Sequence, residues 1–437
     1  NNLNSEISAT SPSPKADSKK FKKAIIGAGV GNMLEYYDMA IYAYLAPYIA
    51  QIFFPSSDKF AGLLSTFVVF AMGYAIRPLA AFIFGPYADK FGRKKALTLT
   101  IMMMGISSFV IGILPTYGQI GIIAPVLLVL ARVAEGISAG GEWGSNTAFI
   151  VEYAKGNRGF WGSFNQISVG LGYMLASLVA TILSFAFTPE AITAWAWRIP
   201  FILGIAICLV GIYLRRTMDD TPHFESLEKT NQKSEAPLRE VLKHHPKDIF
   251  LIFGFTIHWT SAYFVVLTFM PTYLSKILGL PFEKALFSNL VVLAFFVIMI
   301  PFLGKLSDRI GRKPLLIISA VAFILLPYPL FSLMASSGKF AVILVCQLIL
   351  AGFLACFSGP GPAAIAEITS TKVRTSALAI GYNLAVTGFG APAPLIATYL
   401  VSTTGNVLSP TFFSIGCAVI SLLVLIRLKE TYKDPLK

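Results

Sequence analysis

Charge is what this sequence has least of. Only 13% of its 437 residues are Asp, Glu, Lys or Arg, whereas 55% are hydrophobic. An ordinary soluble domain carries about 25% charged residues. A soluble chain of this length would fold as roughly three domains with almost no polar surface, so that class is excluded. Cysteine is scarce too: Cys208, Cys346, Cys356 and Cys417 all stand in apolar runs, which makes them small buried thiols and excludes a disulfide framework. Four scattered histidines supply neither a metal cluster nor a nucleophile–base pair, so no cofactor, no metal and no enzyme activity are expected. Long polar loops are missing except for one, which leaves no room for a soluble catalytic or signalling domain.

What is present is apolar length. Runs able to cross a bilayer, each of about 20 residues, occupy roughly 24–54, 60–87, 96–115, 120–151, 160–187, 196–214, 249–275, 285–303, 314–335, 339–366, 376–401 and 408–427. The expected fold is an all-α membrane protein of twelve transmembrane helices in two six-helix bundles. Its parts are a disordered cytoplasmic segment over 1–23, a first bundle over 24–214, a cytoplasmic linker over 215–248, a second bundle over 249–427 and a cytoplasmic tail over 428–437. Within the linker, Pro237 to Lys243 reads as a short amphipathic helix at the membrane surface. Lys19-Lys-Phe-Lys-Lys23 leads straight into a full span without a small-residue cleavage site, so no cleavable signal peptide is expected.

The net charge of +13 suggests nucleic acid until its distribution is read. With the N-terminus inside, 28 of the 35 Lys and Arg fall in cytoplasmic segments and five in outer loops. That asymmetry is the positive-inside rule. It predicts a multi-pass protein of the plasma (inner) membrane with both termini cytoplasmic, and it excludes nucleic acid as a partner. The expected partners are the lipid bilayer, protons and a small-molecule substrate, and a monomer is expected.

One stretch occurs twice. Gly85-Pro-Tyr-Ala-Asp-Lys-Phe-Gly-Arg-Lys94 returns 219 residues later as Gly304-Lys-Leu-Ser-Asp-Arg-Ile-Gly-Arg-Lys313. Both copies sit between hydrophobic runs, so the chain is a duplicated membrane unit, the architecture of secondary transporters. Asp89 and Asp308 stand just before a Gly-Arg-Lys turn, where a carboxylate accepts bonds from the nearby arginine and from a neighbouring helix N-terminus. Asp89, Arg93, Lys94, Asp308, Arg312 and Lys313 are therefore candidate gating residues. Glu152, Lys155 and Arg158 close the fourth span as Glu367, Lys372 and Arg374 close the tenth, and both spans are interrupted by Gly or Pro.

An ionisable group inside a span costs several kcal/mol unless paired or wetted, which makes it a functional candidate. The clearest are Glu35, Asp38, Arg77, Arg132, Glu135 and Glu142, all in the first half. Glu35 and Asp38 share a helix face, with Tyr42 one turn further along. Counting about 1.5 Å per residue puts Asp38 beyond the midplane of the first span. Arg132 and Glu135 share a face of the fourth span that continues through Glu142 toward Asn146. Asp38 is expected to carry the coupled proton, with Arg132 as its partner and Glu35 and Glu135 as helpers. Arg77 either receives a substrate anion or closes a network with a neighbouring carboxylate. Trp143, beside Glu142, and His258-Trp259 suit a substrate with a cationic or apolar portion. The candidate substrate-binding set is Arg77, Tyr42, Glu142, Trp143, Asn146, His258 and Trp259.

The paired Gly-x-x-x-Asp-x-x-Gly-Arg-Lys loops resemble the signature of the major facilitator superfamily. Gly31-Asn-Met-Leu-Glu-Tyr-Tyr-Asp38, Arg77-Pro-Leu79, Gly136-Ile-Ser-Ala-Gly-Gly-Glu142 and Trp197-Arg-Ile-Pro200 resemble its metabolite:proton symporter branch, which includes proline/betaine, citrate, α-ketoglutarate and shikimate carriers. The resemblance covers about 24–430. It implies two bundles rocking about a central site, driven by the proton gradient and importing a carboxylate-bearing metabolite, either a zwitterion such as proline or betaine or an organic acid. Glu135 stands where this branch leads one to expect glutamine. The tail to Lys437 departs from some osmosensing proline/betaine carriers in lacking their long heptad-rich extension, so the resemblance does not carry osmotic regulation over to this chain. The competing readings are a proton-driven drug or metabolite exporter and a non-transporting nutrient sensor.

Overall fold

The computed structural model describes residues 14–78, 80, 93–138, 142–154, 156–217, 237–370 and 373–436. Every regular element among them is a helix. The composition dictates this, because a chain in hydrocarbon must close its backbone hydrogen bonds within each segment. The twelve expected spans are found as α1 (Pro14–Tyr44), α2 (Ala61–Ala75), α3 (Arg93–Ile113), α4 (Ile123–Ser138 continued by Glu142–Tyr153), α5 (Arg158–Ala186), α6 (Arg198–Thr217), α7 (Pro246–Tyr263), α8 (Phe282–Ile310), α9 (Arg312–Leu325), α10 (Phe340–Ser358), α11 (Arg374–Ala385) and α12 (Ser409–Arg427). Seven described helices are long and apolar enough to cross a membrane singly, and two bent pairs raise that to nine. The first helix begins at Pro14, so residues 14–23 are helical rather than disordered as expected. The short amphipathic helix in the linker is present, over Pro237–His244.

Several spans are broken where Pro or Gly denies the backbone a regular turn. Leu45 separates α1 from Ala46–Phe53, α9 bends by 49° into Pro327–Ser337, and α10 continues past Gly359 as Gly361–Ala366. After α7 come two π-helical stretches, Phe264–Phe269 and Tyr273–Ile277, on either side of Pro271. α11 passes through a π turn over Val386–Gly390 before Ala393–Thr404.

The seam between the halves is made by small residues. α5 runs along α8, and a Cβ on Gly159 would come within 2.4 Å of the Gly304 carbonyl oxygen. Within the first bundle a Cβ on Gly136 of α4 would lie 2.1 Å from the Gly73 carbonyl of α2. Only glycine permits these approaches. The outer surface is apolar, with Tyr213, Phe250 and Phe302 each 67% exposed, as a lipid-facing surface requires.

Candidate functional site

The centre of the molecule is charged. Arg77, just past α2, sets its Nη1 3.0 Å from Glu35 Oε1 of α1, with both side chains buried. Its guanidinium carbon lies 4.2 Å from the Tyr74 ring centroid. Nε and Nη2, which form the other edge of the same guanidinium, are buried with no hydrogen-bond partner among the described residues. A narrow cleft here is lined from the first half by Glu35, Tyr36, Arg77 and Trp143, and from the second by Tyr382 and Asn383. Of the two roles open to Arg77, the structure realises the carboxylate network through Nη1 and leaves two donors for a ligand.

One turn deeper, Arg132 departs from expectation. It pairs with Glu135, Nη1 to Oε2 at 2.7 Å, and not with Asp38. Spacing explains the choice: Glu135 lies one helical turn along α4, whereas Asp38 belongs to another helix. The rest of the Arg132 guanidinium is held by the Tyr42 ring at 4.4 Å and the Phe70 ring at 5.7 Å. Tyr42 thus stacks on Arg132, while its hydroxyl donates to the Thr66 carbonyl at 2.9 Å; it does not line the cleft. Asp38 is 2% exposed, and neither carboxylate oxygen has a hydrogen-bond partner among the described residues. It lies in the field of Glu135, Arg132 and Glu35. A Cβ on Gly204 of α6 would approach Ser108 Oγ to 2.7 Å and Asp38 Oδ1 to 3.1 Å, so that glycine makes the room Asp38 occupies.

Aromatic rings from both halves close the cleft. Trp143 of α4 stacks on Tyr382 of α11 at 3.8 Å and 6° between planes, and meets Trp259 of α7 edge-on at 5.7 Å. The indole nitrogens are satisfied, Trp143 donating to Gln166 at 3.2 Å and Trp259 to Ser358 at 2.9 Å. Asn146 donates to Asn32 at 3.4 Å, and Asn32 to Asn165 at 2.5 Å. Asn146 is therefore part of an amide network joining α1, α4 and α5. His258 stands apart, packed in the second bundle between Phe323 and Phe357 with Nε2 3.1 Å from Ser319 Oγ. The Glu142 side chain lies outside the described residues. No group of three His, Cys, Asp or Glu among the described residues is placed to hold a metal ion.

The end of the molecule that carries both termini is tied across the seam. Asp308, at the end of α8, accepts from the backbone nitrogens of Gly159 at 2.8 Å and Phe160 at 2.9 Å in the first turn of α5, and from Arg312 Nη1 at 2.7 Å. These are the arginine and helix N-terminus its sequence position calls for. Arg312 also reaches Glu367 at 2.9 Å, and Arg374 pairs with Glu152 of α4 at 2.7 Å. The tail joins in: Glu430 accepts from the backbone nitrogens of Arg312 and Lys313, both at 2.9 Å, and Arg158 donates to the Asp434 carbonyl at 2.6 Å. Lys313 Nζ donates to the Ile426 carbonyl at 3.2 Å. The matching first-half loop is not comparable, since Asp89 and the side chains of Arg93 and Lys94 lie outside the described residues. At the opposite end a depression of about 850 Å³ separates the halves, lined among others by Tyr48, Gln51, Glu190, Lys276 and Glu283.

Sequence reasoning missed Tyr36, Tyr382, Asn32, Gly204 and Glu430. Tyr36 lies within the Gly31–Asp38 stretch but is not singled out by it, and Tyr382 is one tyrosine in an aromatic-rich chain with no local signal. The Trp197-Arg-Ile-Pro200 stretch proves architectural: Arg198 caps α3 through the Leu114 carbonyl at 2.6 Å, and the Pro200 carbonyl accepts from the Tyr37 hydroxyl at 2.8 Å.

A two-bundle helical fold with a charged centre and a latched end has close counterparts among known proteins. The family described as Major Facilitator Superfamily matches residues 28–300. The chain belongs to the major facilitator superfamily. A second family description, Sugar (and other) transporter, matches residues 224–437 of this facilitator. Among similar proteins, the glycine betaine/proline/ectoine/pipecolic acid transporter OusA of Dickeya dadantii is 36% identical over 96% of this chain and 86% of its own. The proline/betaine transporter of Escherichia coli K12 is 32% identical over the same shares, and a putative proline/betaine transporter of Staphylococcus aureus is 34% identical over 94% and 88%. The E. coli xylose transporter XylE in a partially occluded inward-open conformation matches 96% of this chain and all of its own, with a TM-score of 0.77 at 19% identity. This major facilitator is a multi-pass membrane transporter of a small molecule and not an enzyme.

Proposed function

We propose that this transporter is a proton-coupled symporter that imports a small zwitterion of the proline/betaine class. The observation that carries the proposal is the Nε–Nη2 edge of Arg77, without a hydrogen-bond partner among the described residues, on a residue that lines a cleft closed by aromatic rings from both halves. That edge is the geometry a carboxylate accepts in bidentate form. Trp143 and Tyr382, stacked on each other, line the cleft with aromatic surface of the kind that attracts an alkylated ammonium. A single ligand with one group of each kind satisfies both. Relatives named as proline/betaine transporters support the same substrate class.

Asp38 is the proton carrier in this reading. Its carboxylate is buried beside the Arg132–Glu135 pair, so the charge around it is set by whether those neighbours stay paired with each other. Substrate charge arriving at Arg77 reaches that balance through Glu35, which pairs with Arg77 and lies in the field of Asp38. Asp308, Arg312, Lys313 and the tail form the inner gate, with Asp89, Arg93 and Lys94 as its first-half counterpart. The positive-inside charge pattern supports a cytoplasmic position for this end, in the plasma membrane. One buried apolar core running through both bundles supports a functional monomer.

Uptake of labelled betaine and proline into proteoliposomes under an imposed pH gradient tests the proposal, with citrate and α-ketoglutarate in parallel. Gradient-driven accumulation of the zwitterions alone is expected. Accumulation of the acids instead, or none that follows the gradient, overturns it.

A further inference from the structure

Beside the Arg77 cleft, along the seam toward the open depression, lies a run of tyrosines whose rings pack but whose hydroxyls do not bond. Tyr173 of α5 faces Tyr263 of α7 across the seam at 5.2 Å between ring centroids, and Tyr36 of α1 at 6.0 Å. Tyr74, under the Arg77 guanidinium, and Thr268 both lie beside the Tyr173 hydroxyl. Yet the hydroxyls of Tyr74, Tyr173, Tyr263 and Thr268 are all buried with no hydrogen-bond partner among the described residues. Other hydroxyls in the same layer are satisfied: Tyr44 donates to the Leu267 carbonyl at 2.8 Å and Tyr42 to that of Thr66 at 2.9 Å. A buried hydroxyl left without a partner costs about 1–3 kcal/mol. Four in one place, contributed by both bundles, indicate a group that meets them in another stage of the cycle.

We infer that Tyr74, Tyr173, Tyr263 and Thr268 form a hydroxyl-lined subsite that receives the carboxylate of the cargo between the open depression and Arg77. A carboxylate presents about four acceptor sites. Arg77 offers two N–H donors, so the remaining lone pairs require further donors in a water-poor seam, and hydroxyls supply them without adding charge. The tyrosine faces accompany the ammonium end at the same time. Because each bundle contributes hydroxyls, the subsite is complete only while the seam is closed, which links carboxylate capture to closure. This inference rests on the zwitterion reading above.

The test is binding by the purified full chain of three probes: betaine, choline, which keeps the quaternary ammonium but lacks the carboxylate, and 3,3-dimethylbutyrate, which keeps a carboxylate without the charge. Tyr173→Phe and Tyr263→Phe each remove one oxygen and leave the ring. Each is expected to weaken betaine and dimethylbutyrate binding by about tenfold, the value of one hydrogen bond to a charged group, and to leave choline unchanged. Tyr44→Phe, whose hydroxyl is already engaged, serves as control and is expected to shift none of the three. Thermal unfolding of each variant checks that the fold is kept. Unchanged carboxylate binding in both Phe variants, or an equal loss for choline, overturns the subsite alone. A wild-type chain that binds dimethylbutyrate but not betaine overturns the zwitterion reading, and the Phe variants then test the subsite on the acid. A wild-type chain that binds no carboxylate probe overturns both.

Discussion

Arg77 holds one nitrogen against Glu35 and keeps a second edge without a hydrogen-bond partner among the described residues. Lysine at this position would preserve the charge and lose the fork. Arg77→Lys is therefore expected to weaken betaine binding by roughly 10- to 100-fold, the worth of about 1.5–3 kcal/mol for a hydrogen bond to a charged group. Titration calorimetry on the purified protein reads this directly, and wild-type affinity would remove Arg77 from the site. Asp38 separates coupling from binding. Asp38→Asn is expected to abolish accumulation driven by a pH gradient while leaving exchange of labelled for unlabelled substrate intact; normal accumulation would reassign the proton. At this scale the sequence was a good guide to which charges are buried, because charge inside an apolar run is rare and conspicuous. It was a poor guide to partners. Arg132 turned to Glu135, one turn along its own helix, and Asp38 was left between them and Glu35. His258 was conspicuous for the same reason as Asp38, but neighbouring aromatic rings enclose it away from the cleft.

Helix elements here are shaped by where side chains are missing. Gly136 of α4 sits against the Gly73 carbonyl of α2, where an added Cβ would come within 2.1 Å of that oxygen. Such a contact forces the helices apart, and overpacking of this kind typically costs about 1–3 kcal/mol. Gly136→Ala is expected to lower the thermal unfolding midpoint in detergent by several degrees and to displace Arg132, whose Nη2 would be 2.9 Å from a Cβ on Gly73. An unchanged midpoint would mean that α2 and α4 are free to separate. Apolar length located a described helix for each expected span, although the first helix begins ten residues earlier than expected and the far end of the second lies outside the described residues. The bends after α7 and within α11 were not legible, because π-helical turns depend on the neighbour a helix wraps around rather than on local composition.

At the level of the whole molecule, the proposed inner gate is the part that would have to open. Asp308 joins the two bundles through two backbone N–H groups of α5 and holds Arg312 within its own half. Glu430 braces the same turn from the tail. Asp308→Asn removes the charge that strengthens these bonds, so it is expected to move the population toward the state open at the tail end by about tenfold or more. Spin labels on the tail-side ends of α5 and α8 would report this as a longer distance distribution; an unaltered distribution would make the latch a static brace. Glu430→Gln is expected to act in the same direction with a smaller effect, because it braces one bundle. The sequence by itself determined the membrane class, the number of spans, the duplication and the positions of the buried charges. Hydropathy and spacing along the chain are sufficient for these, since bilayer thickness and backbone satisfaction act on each segment separately. Tertiary structure alone decided that the Arg77 cleft is closed by Tyr382 from the other half, that four hydroxyls from both halves lie beside it with no hydrogen-bond partner among the described residues, and that the tail braces the turn before α9. Those arrangements depend on the approach of helices far apart in sequence, and the glycines that allow it carry no mark of which helix they will face.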